Sequence, residues 1–210
     1  MAALAWWRHA RGNDGRERAA VAALGCFLFL FVSPFCALSS ALFTARVAHH
    51  LLLGLVLAPL VVASLPPWKR PLPGSLAVWT ALQALMFWAW HAPPLYAAAL
   101  SADAMFWLMQ ISITGSAAAW WIKLREAPAA VAVAALLAAM VLMGVLGALI
   151  TFAGHALYAP HWLTTQVWGL APLEDQQIAG LVMWAPGSAV YLLAAMAILY
   201  RGLSQNGRTA

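Results

Sequence analysis

The sequence predicts an all-α fold, a polytopic membrane bundle of about six transmembrane helices with both termini cytoplasmic, and three observations carry that prediction. Apolar residues make up 65% of the 210-residue chain and charged residues 8%, and mean hydropathy is +0.84, a composition that no water-soluble domain of this length can bury. Apolar stretches approach or exceed the ~20 residues a helix needs to cross the hydrocarbon. Basic residues and histidines sort to opposite ends of those stretches.

The first stretch, Ala19 to Leu38, follows a tail bearing Arg8, Arg11, Arg16 and Arg18. A cleaved signal peptide is the alternative, with small residues at Ser39, Ser40 and Ala41, but the run exceeds the usual h-region and a retained helix fits better. Ala41 to Ser64 and Ser75 to His91 follow, flanking Lys69 and Arg70. Ala102 to Ile122 ends at Lys123 and Arg125, and Ala129 to Phe152 opens on small residues suited to close helix packing. Gln177 to Tyr200 contains Pro186 and Gly187, where a kink is expected, and runs into Arg201 and Arg208. Residues 1–18 thus read as a cytoplasmic tail, 19–200 as one membrane domain and 201–210 as a second tail. The outer connections, Pro34 to Ser40, Ala92 to Ser101 and Ala153 to Gln176, carry no Lys or Arg, and an even number of helices returns both ends to the cytoplasm. Tryptophans near predicted helix ends or in the loops beyond (Trp6, Trp7, Trp68, Trp79, Trp120, Trp121, Trp162, Trp168) read as an interfacial belt. The net charge of +5 needs no nucleic-acid partner, because loop bias already accounts for it.

Ionisable groups at membrane depth are costly and mark functional interiors. Arg46, the one basic residue on the outer side, and His50 are four positions apart and share a helix face, whereas His49 and His50 diverge by ~100°. His50 is expected to point into the bundle, roughly 10 Å inside the helix start, with His49 at the edge of the site or a neighbouring interface. His91 sits at the outer mouth ahead of Pro93 and Pro94, His155 just past the fifth helix, and His161 in the following loop. Met109, on a face with Met105, and Met183 lie at matching depth.

Imidazole with thioether suits copper, above all copper(I), and the lack of a carboxylate-rich cluster argues against magnesium or calcium. Neutral imidazole is the ligand form, so binding should weaken as pH falls through about 6.5. Cys26 and Cys36 lie about 15 Å apart along a helix, beyond disulfide reach. Glu174 and Asp175 open the last helix, where capping alone accounts for them; a pair with Arg46 would also satisfy that buried cation. No serine or cysteine nucleophile is placed with a base, so no enzyme is expected.

Leu149-Ile150-Thr151-Phe152-Ala153 with Leu157-Tyr158, then Gly169 to Gly187 centred on Pro172-Leu173-Glu174-Asp175-Gln176-Gln177, resemble the CtaG-type cytochrome c oxidase assembly family. Trp90-His91-Ala92-Pro93 with Leu95-Tyr96, and His50-Leu51-Leu52-Leu53, match two more of its motifs in order, so the resemblance spans roughly residues 39 to 200. It implies a multi-pass assembly factor of the bacterial plasma membrane for a haem-copper oxidase, one that delivers copper to the copper B centre, with an oxidase subunit and a copper chaperone as partners. Copper(I) would be held by His50 and His91, with Met183 or Met109 and His155 completing the site. The chain departs from the family at Arg46, where the family's first histidine stands, at His49, where it has Gln, and at Gly154-His155, where it has Asp-Arg. Two other classes fit the same residues: a haem or electron-transfer protein using His50 and His91 as axial ligands, and a metal-free scaffold for oxidase subunits.

Overall fold

The computed structural model describes residues 13–66 and 72–206, and everything regular among them is helical. Eight helices follow in order: α1 (Asn13–Phe31), α2 (Pro34–Ala41), α3 (Phe43–Ser64), α4 (Leu76–His91), α5 (Pro93–Ser101), α6 (Asp103–Glu126), α7 (Ala129–Thr151) and α8, which runs from Pro172–Val182 through a π turn to Ser188–Asn206. Three of them, Phe43–Ser64, Ala129–Thr151 and Pro172–Gly202, are long and apolar enough to cross a membrane, and α1 with α2 makes a fourth if counted as one bent span. Leu76–Trp90 is a shorter apolar helix. The outer surface carries Leu24, Phe27, Leu108, Ile111, Leu149 and Leu193 exposed, while Arg46, His50, His91, Gln83 and Gln110 are buried. That inverted polarity is the signature of a bundle whose solvent is lipid.

The expected first span is broken. Pro34 cannot donate a backbone hydrogen bond, and the Ser33 side chain accepts from Phe35 N–H (3.1 Å) to cap a new helix. The chain bends by 47° between α1 and α2, so the outer connection expected from Pro34 to Ser40 is itself helical. α4 starts where its sequence signal lies, with the Ser75 hydroxyl accepting from Val78 N–H (3.3 Å), and it stops before Pro93, which opens α5. α8 begins at Pro172, five residues before the predicted start. Gly169 supplies the left-handed turn (φ 73°) that leads into it.

Two π turns interrupt the long spans, Leu53–Leu57 in α3 and Met183–Gly187 in α8, and each lies at a proline. In α3, Ala58 N–H donates to the Leu53 carbonyl instead of the Gly54 carbonyl, and Pro59 has no N–H to offer. The Gly54 carbonyl is satisfied by the Trp121 indole of α6 (2.9 Å). Trp120, expected at the interface, is fully buried and donates to the Thr80 hydroxyl (2.9 Å). Trp162 and Trp168 are exposed; Trp6, Trp7 and Trp68, like Lys69 and Arg70, lie outside the described residues.

α7 and α8 touch through glycine. A Cβ on Gly180 would meet the Gly147 carbonyl oxygen at 2.6 Å, the Thr151 nitrogen at 2.7 Å and the Thr151 hydroxyl; a Cβ on Gly147 would meet the Gly180 oxygen at 2.8 Å. Apart from the Thr151 hydroxyl these obstacles are backbone and cannot rotate away. Gly180→Ala should therefore destabilise the purified protein by about 2 kcal/mol or more, while Gly115→Ala, whose added carbon meets nothing within 4 Å, should stay within about 0.5 kcal/mol. Denaturant unfolding in detergent compares the two, and equal stability of both variants would refute this close packing.

Candidate metal-binding site at one end of the bundle

The chain break at Leu42 sets the site. α3 starts there without a side-chain cap of its own, and the Asp175 carboxylate from α8 accepts from Phe43 N–H (2.6 Å) and Thr44 N–H (3.1 Å) instead. The Thr44 hydroxyl returns a hydrogen bond to the Asp175 carbonyl (2.8 Å). On the other side of the break, the fully buried Arg46 donates through Nε to the Ser39 carbonyl (2.9 Å) and through Nη2 to the Ser40 hydroxyl (3.2 Å), both in the last turn of α2. Its guanidinium also lies over the Phe106 ring, 5.3 Å from the centroid. A carboxylate thus meets a helix N-terminus and a cation a helix C-terminus, the matched arrangement for each dipole.

The expected pairing of Arg46 with Glu174 or Asp175 is not formed among the described residues. Asp175 is committed to α3, and the exposed Glu174 accepts from Ala171 N–H (2.8 Å) at the start of its own helix. Gln176 completes this stretch. Its carbonyl oxygen accepts from Leu157 N–H (2.6 Å) and its amide donates to the Ile150 and His155 carbonyls (3.2 and 3.3 Å), fastening the connection between α7 and α8.

Seven residues into α3, His50 meets His91 from the end of α4, with ring centroids 5.2 Å apart and planes at 89°. Both rings are buried, at 0% and 2% exposure. Phe87, one turn before His91, stacks on it at 4.8 Å, and His91 Nδ1–H donates to the Phe87 carbonyl (2.6 Å). That bond fixes the tautomer and leaves Nε2 with its lone pair. His91 Nε2 and both nitrogens of His50 have no hydrogen-bond partner. Buried imidazole nitrogens without partners are rare in a finished core, and together they form a donor set that fits a soft, low-coordinate cation.

The other predicted ligands divide. Met109 and Met183 are fully buried in the core cluster that also holds Phe43 and Phe87. His155 is exposed in the loop beyond α7, where only its carbonyl is engaged, by Gln176, so it is not brought to the pair. His49 is buried at 0% with both nitrogens unpartnered, its face turned to α1 and α2: Phe31 lies at 5.2 Å and Phe35 at 6.0 Å. Its ring is 6.2 Å from that of His50. Among the described residues no group of three or more His, Cys, Asp or Glu is placed to hold a metal.

Sequence reasoning missed the aromatic lid above the pair. Phe43 stacks on Tyr158 (3.7 Å) and faces Tyr96 (5.2 Å), His161 (5.9 Å) and His91 (6.3 Å). The Tyr158 hydroxyl donates to the His91 carbonyl (2.8 Å) and so ties the lid to the site. The Tyr96 hydroxyl donates to His161 Nε2 (2.6 Å), while His161 Nδ1–H donates to the Ala41 carbonyl (3.2 Å). Both tyrosines fall inside Leu-Tyr motifs, a signal visible in the sequence without a role attached to it.

These features define an all-helical membrane protein with a buried imidazole pair under an aromatic lid at one end. The chain belongs to the Caa3_CtaG family of cytochrome c oxidase caa3 assembly factors, whose model matches residues 1–205. Comparison with curated proteins and with solved structures gives no match.

Two predictions follow from this geometry. Asp175→Ala strips an acceptor from two N–H groups at a buried helix start and should cost about 2–4 kcal/mol, measured as unfolding in detergent; an unchanged midpoint would show that α3 does not need the cap. Burial pushes the His161 pKa below its ordinary value, with Arg46 adding to the shift and the Ala41 carbonyl and Asp175 opposing it. The unfolded state then takes up the proton first, so stability present above about pH 6.5 is lost as pH falls through that value. The melting temperature of His161→Gln should fall less steeply than that of wild type below about pH 6.5; parallel curves would refute the assignment.

Proposed function

We propose that this assembly factor is a multi-pass protein of the bacterial plasma membrane, with six spans, that carries copper(I) as cargo between His50 and His91 and hands it to a subunit of the oxidase for the copper B centre. The observation that carries this reading is the perpendicular contact of the two buried rings with their unpartnered nitrogens. Copper(I) accepts low coordination and soft donors, and the fully buried Met109 and Met183 are the thioethers proposed to complete the site. Such a site prefers copper(I) to magnesium or calcium, which demand several oxygen ligands.

A haem between the same imidazoles is disfavoured by the neighbours, since Phe87 stacks on His91 and also faces His50 at 6.3 Å. A macrocycle would have to displace it. A soluble copper chaperone is the natural donor in this scheme, because free copper(I) does not persist in an oxidising compartment. The family's first histidine position is filled by Arg46, whose hydrogen bonds to α2 support a structural role there rather than a ligand's.

The test is metal analysis of protein purified from copper-replete cells under reducing conditions. Wild type should hold close to one copper per chain and show no Soret band, and His50→Ala with His91→Ala should lose it at least tenfold while keeping its helical content, a factor of roughly 1.4 kcal/mol or more in affinity. Copper retained by the double variant, or absent from a wild type that still supports oxidase assembly, would leave a metal-free scaffold as the answer.

A further inference from the structure

Residues 152–171 join α7 to α8, two helices that are each long and apolar enough to cross a membrane, so the connection stands at a membrane face. It carries no formal charge: no Asp, Glu, Lys or Arg occurs between Glu126 and Glu174. Leu163 is nonetheless 80% exposed and Val167 87%, with Trp162 and Trp168 exposed beside them. This apolar surface continues the one at the end of α7, where Leu149 and Phe152 are also exposed. Apolar side chains gathered on an uncharged segment mark an interaction surface, since burial from water favours them.

The segment is firmly built. His161 and Trp162 N–H donate to the Tyr158 and Ala159 carbonyls (3.0 and 3.1 Å), and Trp168 and Gly169 N–H to the Thr165 and Gln166 carbonyls (2.9 and 3.0 Å). These bonds close two short 3-10 turns, Ala159–His161 and Gln166–Trp168. The Thr164 hydroxyl donates to the Ala41 carbonyl (2.6 Å), which His161 Nδ1–H also reaches, and Gln176 holds Leu157 N–H. His161 and Thr165 are buried, so this segment turns polar groups to the bundle and Leu163 and Val167 away from it. Backbone and polar groups satisfied from within are what a surrounding poor in water demands. A lipid interface is the neighbour that matches an uncharged, apolar face of this kind between two spans.

We propose that the connection between α7 and α8 is seated in the lipid interface, with Leu163 and Val167 inserted into the acyl region and the Trp162 and Trp168 indoles at the headgroups. Indoles favour that level, and amphipathic interfacial segments bury their apolar face about 5–10 Å deep. The seat bears on the aromatic lid, because the same segment supplies His161, which Tyr96 holds (2.6 Å). It does not depend on copper or on the histidine pair.

The experiment is site-directed spin labelling of the full-length protein in vesicles of phosphatidylethanolamine and phosphatidylglycerol. A nitroxide is placed on Leu163→Cys or Val167→Cys, both exposed positions that a label leaves unstrained, after Cys26→Ala and Cys36→Ala remove the free thiols. Collisions with oxygen report lipid, and collisions with a water-soluble nickel chelate report water. Both labels should meet the chelate at least about threefold less often than a nitroxide on the lipid headgroup does, while still meeting oxygen freely, as insertion below the phosphates implies. Chelate collisions at either position equal to those of the headgroup label would overturn the proposal. So would infrequent collisions with both reagents, which are the mark of a protein neighbour in place of lipid.

Discussion

The break at Leu42, with a buried carboxylate on one side and a buried guanidinium on the other, is the constraint on which the rest of this architecture depends. A helix that begins inside a bundle exposes N–H groups that water cannot reach, and one that ends there exposes carbonyls. Asp175 answers the first and Arg46 the second. Because the carboxylate comes from α8, the start of α3 is pinned to a helix more than a hundred residues later in the chain. The depth of His50 is then set by counting from Phe43, and that of His91 by the Tyr158 hydroxyl on its carbonyl. Two long-range hydrogen-bond systems therefore bring the imidazoles to one level, and neither involves an imidazole nitrogen of the pair.

The same accounting continues along the spans. Pro59 frees a carbonyl of α3, and Trp121 of α6 takes it. The π turn in α8 lies at Pro186 and packs its Gly187 beside Leu51 of α3, where an added Cβ would meet Leu51 Cδ2 at 3.3 Å. Glycine at 147 and 180 lets α7 and α8 approach until backbone meets backbone. In lipid, where apolar burial gives helices little reason to associate, close backbone contact and interhelical hydrogen bonds carry the cohesion.

Much of this is legible in the sequence, and the exceptions have physical reasons. Apolar runs locate α4, α6 and α7 closely, and Ser75 marks the start of α4, because those signals are local. The convergence of His50 and His91 is legible too, since depth follows from counting residues along a span. The break at Ser33 and Pro34 is hidden by apolar residues on both sides, and only the cap geometry reveals it. Arg46 is misread as the partner of an acidic residue because charge is visible in a sequence and backbone acceptors are not; Ser39 and Ser40 offer a carbonyl and a hydroxyl that no pattern announces. His161, set aside as a loop residue, is held by Tyr96 and Ala41, partners 65 and 120 positions away. His155 draws notice by its type, yet it is the backbone of that loop that matters, through Gln176.

The two imidazoles are held unequally, and that asymmetry bears on what the pair can do. His91 is fixed by stacking on Phe87 and by its bond to the Phe87 carbonyl, so a single nitrogen is presented in a single direction. His50 has no hydrogen bond to orient its ring, only ring contacts with Phe87, His49 and His91. A rigid donor beside an adjustable one is poorly suited to permanent retention, where closed tetrahedral ligation with every ligand braced is the rule. It suits a site that must also release. In the proposed role, a second coordinating partner from the oxidase would compete for a cation held by few ligands, and the ring with no hydrogen bond would be the one to yield. The aromatic lid then limits where that competition takes place, because Phe43, Tyr96 and Tyr158 cover the pair on the side where α3 begins and α4 ends.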